Sequence, residues 1–186
     1  MAALATRYSV GPKYLVEPAP TDAELARAVA LALRAPDHGG LKPFRFVQVM
    51  ADQRDALAAL FAEGARRRGM GADEIERARE RAHNGPALLA LVFRGREGVP
   101  GVPIREQWAS AGGALMNLLN ALHLMGYGAK TLSGASVDDP PVRETFCSEG
   151  ESLLCWIVCG TPSERPKPRY APDPSQALQR WAGPAK

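Results

Sequence analysis

Apolar residues follow two different rhythms along this chain, and each predicts a different kind of element. Leu25, Ala28, Val29, Ala32 and Leu33 recur at i, i+3, i+4, i+7 and i+8, which puts them on one helical stripe facing a core while Arg27 sits off it. Thr21-Asp22-Ala23-Glu24 just ahead reads as a capping box, in which the Thr hydroxyl and the Glu carboxylate each satisfy a backbone N–H at the helix start. Pro36 bars that helix from passing Ala35. Ala56, Leu57, Leu60 and Phe61 repeat the helical spacing within 51–69. The stretch 72–82 opens acidic at Asp73 and Glu74 and ends basic at Arg79 and Arg81, the order a helix dipole favours. By contrast, FRFVQVM (44–50), PALLALVFR (86–94) and SLLCWIVCGTP (152–162) are short apolar runs rich in aromatic or β-branched residues, and they predict buried strands. AKTLSG (129–134) is strand-like after Gly126-Tyr127-Gly128, and Pro140 and Pro141 fit the first turn of a short helix.

Residues 105–125, REQWASAGGALMNLLNALHLM, are apolar on nearly every side, the pattern of a central helix. Asn117, Asn120 and His123 interrupt it and charges stand at its start, so it is not read as a membrane span. Its run Ala109-Ser110-Ala111-Gly112-Gly113-Ala114 has little side-chain volume, and glycine is costly inside a helix unless something approaches the backbone closely. A packing partner or a flat ligand is expected there. Strands and helices mix without strict βαβ alternation, which favours an α+β class over a doubly wound sheet. The 186 residues suit one domain, 1–186, with a Pro-, Arg- and Ala-rich extension from Ser163 to Lys186 that is expected to wrap another surface.

Composition narrows the function classes. The formal charge of +3 is mild, and Lys and Arg are spread along the chain without interleaved aromatics, which excludes a nucleic-acid footprint and suits small anions. Arg66-Arg67-Arg68 reads either as a phosphate patch or as a solvated helix end. Cys147, Cys155 and Cys159 lack a C-x-x-C spacing, so neither a disulfide framework nor a metal site is indicated, and Cys155 and Cys159 are expected to pack as small apolar residues of a strand. MAALATRYSV has no signal-peptide pattern, and a cytoplasmic location is expected.

The chain carries no G-x-S-x-G, Walker A, G-x-G-x-x-G or H-E-x-x-H motif, and no catalytic residue is identified from its sequence. That silence fits a protein whose cofactor does the difficult chemistry. Arg7 and Ser9 offer an Arg fork and a hydroxyl to a phosphate. Arg34 and His38 flank the break at Pro36, and Gly39-Gly40 permits either a close approach to a ligand or a plain turn. Asp37 has two readings, orienting the imidazole or closing an Asx-turn.

Four segments in order, RYS (7–9), RAPDHGGLKPFRF (34–46), SAGGALMNLLNALHLMGYGA (110–129) and GTP (160–162), resemble the nitroreductase family of flavin enzymes, most closely its short NAD(P)H nitroreductase members. The resemblance implies an α+β sandwich with a mostly antiparallel central sheet and an intertwined homodimer holding FMN, tightly bound, at its interface. Arg7, Tyr8 and Ser9 would serve the phosphate and ribityl chain, Thr131, Leu132 and Ser133 would line the cofactor, and Arg34 and His38 would come from the other subunit. Tyr8 stands where short members tend to have Arg, and Thr131-Leu132 where they tend to have Trp-Arg, so two cationic donors are absent. The implied activity is an FMN-dependent oxidoreductase passing hydride from NAD(P)H to a small acceptor such as a nitroaromatic or quinone. The alternative is a non-catalytic flavin- or ligand-binding protein on the same fold. Neither nucleic acid nor membrane is an expected partner.

Overall fold

The computed structural model describes residues 2–164 and 173–183. Six helices, α1 (Ala2–Ala5), α2 (Asp22–Ala32), α3 (Arg54–Arg67), α4 (Ala72–Arg81), α5 (Ile104–Leu124) and α6 (Pro140–Phe146), surround strands β1 (Leu15–Val16), β2 (Phe44–Val49), β3 (Ala87–Phe93), β4 (Gly128–Leu132) and β5 (Ser152–Pro162). Strand β5 is the hub, pairing antiparallel with β1, β3 and β4, while β2 joins the outer side of β3, also antiparallel.

Both faces of this sheet are covered, which is why its strands read as continuous apolar runs. On one face Leu89, Leu91, Phe93, Cys155, Ile157 and Cys159 meet α2 and α5 through Leu25, Ala28, Ala111, Ala114, Leu118 and Leu122. On the other, Leu88, Ala90, Val92, Trp156 and Val158 meet Leu57 and Phe61 of α3, Ala78 of α4 and Val142 of α6. Strict alternation would send Leu153 to the α5 side with Cys155. A register shift between Leu91 and Val92, whose partners on β5 are Cys155 and Leu153, turns it to the α3 side instead. Trp156 stands there between Phe61 and Phe146, edge-on to both at centroid distances of 5.3 and 5.1 Å.

The capping box is present: Glu24 N–H donates to Thr21 Oγ1 at 3.3 Å and Thr21 N–H donates to Glu24 Oε2 at 2.9 Å. Three expectations change. Leu33, placed by periodicity on the buried stripe, caps α2 and is exposed, because the helix ends one residue earlier. Ala56 is exposed and Leu60 only half-buried, so Leu57 and Phe61 carry the buried stripe of α3. Helix α5 is not enclosed by its own chain: Trp108, Met116 and Leu124 are 43%, 44% and 58% exposed. Its small-residue run has one explained position, since a Cβ on Gly113 would stand 3.4 Å from Ala35 Cβ, whereas Gly112 opens to space.

Arg66 and Arg67 pair with Glu63 one turn back, and Arg68 pairs with the buried Asp139, so the arginine run is a paired helix end. Burial pushes the thiols of Cys155 and Cys159 up to about 12, which keeps them as apolar packing groups. No helix among the described residues is long and apolar enough to cross a membrane. Of the C-terminal extension, 165–172 and 184–186 lie outside the described residues, while Leu178 and Trp181 are exposed.

Strand β4 begins at a position where only hydrogen fits. A Cβ on Gly128 would come within 2.7 Å of Val10 Cγ2 and 2.9 Å of Leu15 Cδ2. Gly128→Ala is expected to destabilise the protein by about 1–3 kcal/mol through overpacking, with faster hydrogen exchange at the Val10 amide. Urea denaturation and amide exchange check this, and parental values for both would contradict the packing assigned to this position.

Candidate functional site

The residues singled out from sequence fall into two groups, one along β4 and one along the first half of α5. The first gathers along β4. Val10 N–H donates to Ala129 O at 3.1 Å and Ser9 bridges Ala129 in parallel, so the segment Arg7–Val10 lies beside the strand whose far end is Thr131-Leu132. Thr6 Oγ1 lies 3.2 Å from His123 Nε2, tying the same segment to the last turn of α5. Tyr8 and His123 wall a cavity of about 450 Å³ at the start of β4.

Thr131, Leu132 and Ser133 line a second cavity, of about 490 Å³, at the other end of β4. Its apolar wall is Phe61, Leu88 and Trp156, and polar groups of Arg81, Asn84 and Ser136 stand around it. An apolar floor with a few convergent polar groups suits a flat heteroaromatic ring with a polar edge. Trp156 Nε1 donates to Ser136 Oγ at 3.1 Å and so fixes the loop after the strand.

Arg81 and Asn84 were not among the sequence candidates. They reach this cavity because the turn after α4 is held by a buried cation: Arg54 donates to the carbonyl oxygens of Ala82 at 2.7 Å and of Asn84 and Pro86 at 3.4 Å. Burial lowers the pKa of this guanidinium, which has no carboxylate partner among the described residues but sits among carbonyls that orient around it. In sequence, Arg54 looks like an ordinary polar residue of a helix start, and no local pattern links it to residues 82–86.

The second group lies along the first half of α5, with His38 at its start and Arg34 beside its middle, where Asn117 Nδ2 donates to Leu31 O and Gly113 faces Ala35. Arg34 follows the last turn of α2 and is exposed. The Asp37 carboxylate accepts from the Leu41 and Lys42 amides at 3.1 and 2.7 Å, so this side chain closes a turn and does not orient the imidazole. That role falls to Glu106 in the first turn of α5, whose Oε2 lies 2.8 Å from His38 Nδ1. Gly39 and Gly40 take φ of 76° and 63°, which explains the glycine pair by backbone conformation. Ser110 Oγ donates to Pro36 O, and buried Gln107 is bonded to both the N–H and the C=O of Arg96, so the loops on either side are pinned to α5.

Glu106 and His123 are nearly five turns apart, about 25 Å of helix. One chain therefore places Arg7, Tyr8 and Ser9 beside the start of β4, Thr131, Leu132 and Ser133 at its far end, and His38 at the opposite end of α5 from His123.

Comparison with known proteins agrees with this architecture. A model described as the nitroreductase family matches residues 4–161. The Escherichia coli (strain K12) protein named "Putative NAD(P)H nitroreductase YdjA" is 32% identical over 163 residues, 87% of this chain and 88% of that protein. Among solved structures, a nitroreductase-like family protein from Bacillus cereus superimposes with a TM-score of 0.82 at 16% identity, over 97% of this chain and 95% of that one. A Desulfovibrio desulfuricans protein, "a putative nitroreductase in complex with FMN", gives a TM-score of 0.70 at 19% identity, over 96% of this chain and 95% of that one. With the fold, nearly the whole length and a third of the residues of a relative held in common, the chain belongs to the nitroreductase family.

Proposed function

We propose that the protein is an FMN-dependent oxidoreductase that takes reducing equivalents from NAD(P)H and delivers them to a small acceptor such as a nitroaromatic or a quinone, working as a symmetric dimer with two shared sites. The observation that carries this reading is a cavity with an apolar wall and a polar rim at the far end of β4, lined by Thr131, Leu132 and Ser133, with the Arg7–Ser9 segment beside the start of that strand and His38 held about 25 Å along α5 from His123. The exposed positions of α5, Trp108, Met116 and the open Gly112, suit a second copy packed across a two-fold axis.

FMN, when bound, supplies the two-electron chemistry between nicotinamide and acceptor. The chain supplies binding and orientation. Arg7 and Ser9 would hold the phosphate and ribityl chain together with Tyr8, the cavity walls Phe61, Leu88 and Trp156 would exclude water from the ring, and Thr131, Leu132 and Ser133 would meet its edge. Arg81 adds a cation to that cavity and offsets part of the charge missing at positions 8 and 132. The related E. coli protein's name supports the nicotinamide reductant, and the FMN complex of the D. desulfuricans protein supports the cofactor.

Purified protein is expected to be yellow, to release about one equivalent of FMN per chain, and to bleach under anaerobic NADH or NADPH. Protein that binds flavin but stays oxidised with both nucleotides contradicts the oxidoreductase reading, and protein that takes up no FMN contradicts the site. Arg7→Ala and Arg81→Ala are each expected to weaken FMN binding about tenfold or more, the size of a lost charge-assisted contact, with folding stability altered by less than about 0.5 kcal/mol. Fluorescence titration of the apoprotein measures the first and urea denaturation the second, and parental affinity would remove that arginine from the site.

A further inference from the structure

We propose that His38 and Glu106 form a proton-donating pair, with His38 Nε2 protonating the acceptor when a carbonyl compound such as a quinone is reduced, and Glu106 positioning the imidazole. This rests on the oxidoreductase reading above. The Glu106 carboxylate occupies one ring nitrogen, at 2.8 Å from Nδ1, and leaves Nε2 as the position open to a ligand. The neighbouring Asp37 is already committed to two amides, and Glu106 is the carboxylate that engages the ring among the described residues. Both members of the pair stand on segments clamped together by the Ser110–Pro36 and Gln107–Arg96 hydrogen bonds, which fixes the ring relative to α5.

The charged groups on the surrounding segments are Arg34, Asp37 and Lys42 on the loop, Arg94, Arg96 and Glu97 on the strand-to-helix connection, and Arg105 beside Glu106 on α5. Arg94 Nε donates to Lys42 O at 2.9 Å and so joins the two segments. The side chains of His38 and Glu106 are 60% and 44% exposed, and a pair so open to solvent adds little to stability. What it does provide is a ring whose Nδ1–H faces Glu106 before and after proton transfer, so that Nε2, open to water, is the nitrogen that gives up and regains the proton.

The step balances. Reduction of a quinone consumes two electrons and two protons. The hydride equivalent that originates in the nicotinamide accounts for both electrons and one proton, leaving NAD(P)⁺. The second proton leaves the imidazolium as its Nε2–H bond breaks and an O–H bond forms at the quinone oxygen. His38 is left neutral, with Nδ1–H still donated to Glu106, and regains its proton from water.

The test compares benzoquinone, which needs the proton, with ferricyanide, which takes electrons alone, in flavin-loaded protein. In His38→Gly the ratio of quinone to ferricyanide turnover is expected to fall about tenfold or more and to recover with added imidazole. In Glu106→Ala the same ratio is expected to fall through kcat with KM for benzoquinone retained. Imidazole ¹⁵N NMR supplies a readout independent of turnover: the neutral His38 ring should carry its proton on Nδ1 in the parent and on Nε2 in Glu106→Ala. A parental ratio in flavin-replete variants, or an Nε2–H tautomer in the parent, overturns the proposal. FMN content is measured in each variant. Loss of flavin from His38→Gly bears on the binding reading, and the Glu106→Ala ratio and the tautomer then decide this one.

Discussion

A helix of 21 residues is a rod about 30 Å long, and the site's geometry depends on what is fixed to its two ends. At its start, Glu106, Gln107 and Ser110 hold the His38 loop and the connection after β3. At its finish, His123 meets Thr6, and the chain turns through Gly126 into β4, which carries the cavity. Because the rod cannot fold back on itself, these two sets of groups do not converge within one chain. In the dimer proposed above, the apolar residues left uncovered along α5 would seat the second copy.

The sheet sets the other half of the geometry. Strand β5 pairs with β4 and β3 on its two sides, so the cavity at the end of β4 is floored by Trp156 and Leu88 from neighbouring strands and roofed by Phe61 of α3. Its polar groups are held from behind: Arg54 ties the 82–86 turn, Trp156 ties Ser136, and Gly128 lets Val10 lie against the strand. Such anchoring is what a binding site needs when the cofactor carries the reactive chemistry, since the protein's contribution is then position.

Much of this fold is legible in the sequence where one local rule decides. The Thr21–Glu24 capping box, the stop at Pro36 and the apolar runs of β3 and β5 each depend on neighbours within a few residues. Candidate residues Arg7–Ser9 and Thr131–Ser133 are likewise visible as short motifs, and the structure puts the first beside the start of β4 and the second at its far end. What escapes is decided by distant partners. Leu33 looks buried by period but falls beyond the helix end. Leu153 changes face through a bulge set by its pairing with β3. Glu106 and Arg54 act on segments dozens of residues away, so nothing near them in the chain announces a role.

The claim that each site is shared between two chains is tested most directly by mixing defects. A chain carrying Arg7→Glu is co-expressed with one carrying Arg34→Glu and His38→Ala, and the mixed dimer is isolated through two different tags. If the sites are shared, one site of the mixed dimer collects every defect and the other collects none. It should bind about half the parental FMN and recover turnover that neither mutant homodimer has. A mixed dimer that binds no FMN, or that is no more active than its parents, would contradict the shared site and return Arg34 and His38 to a role within their own chain.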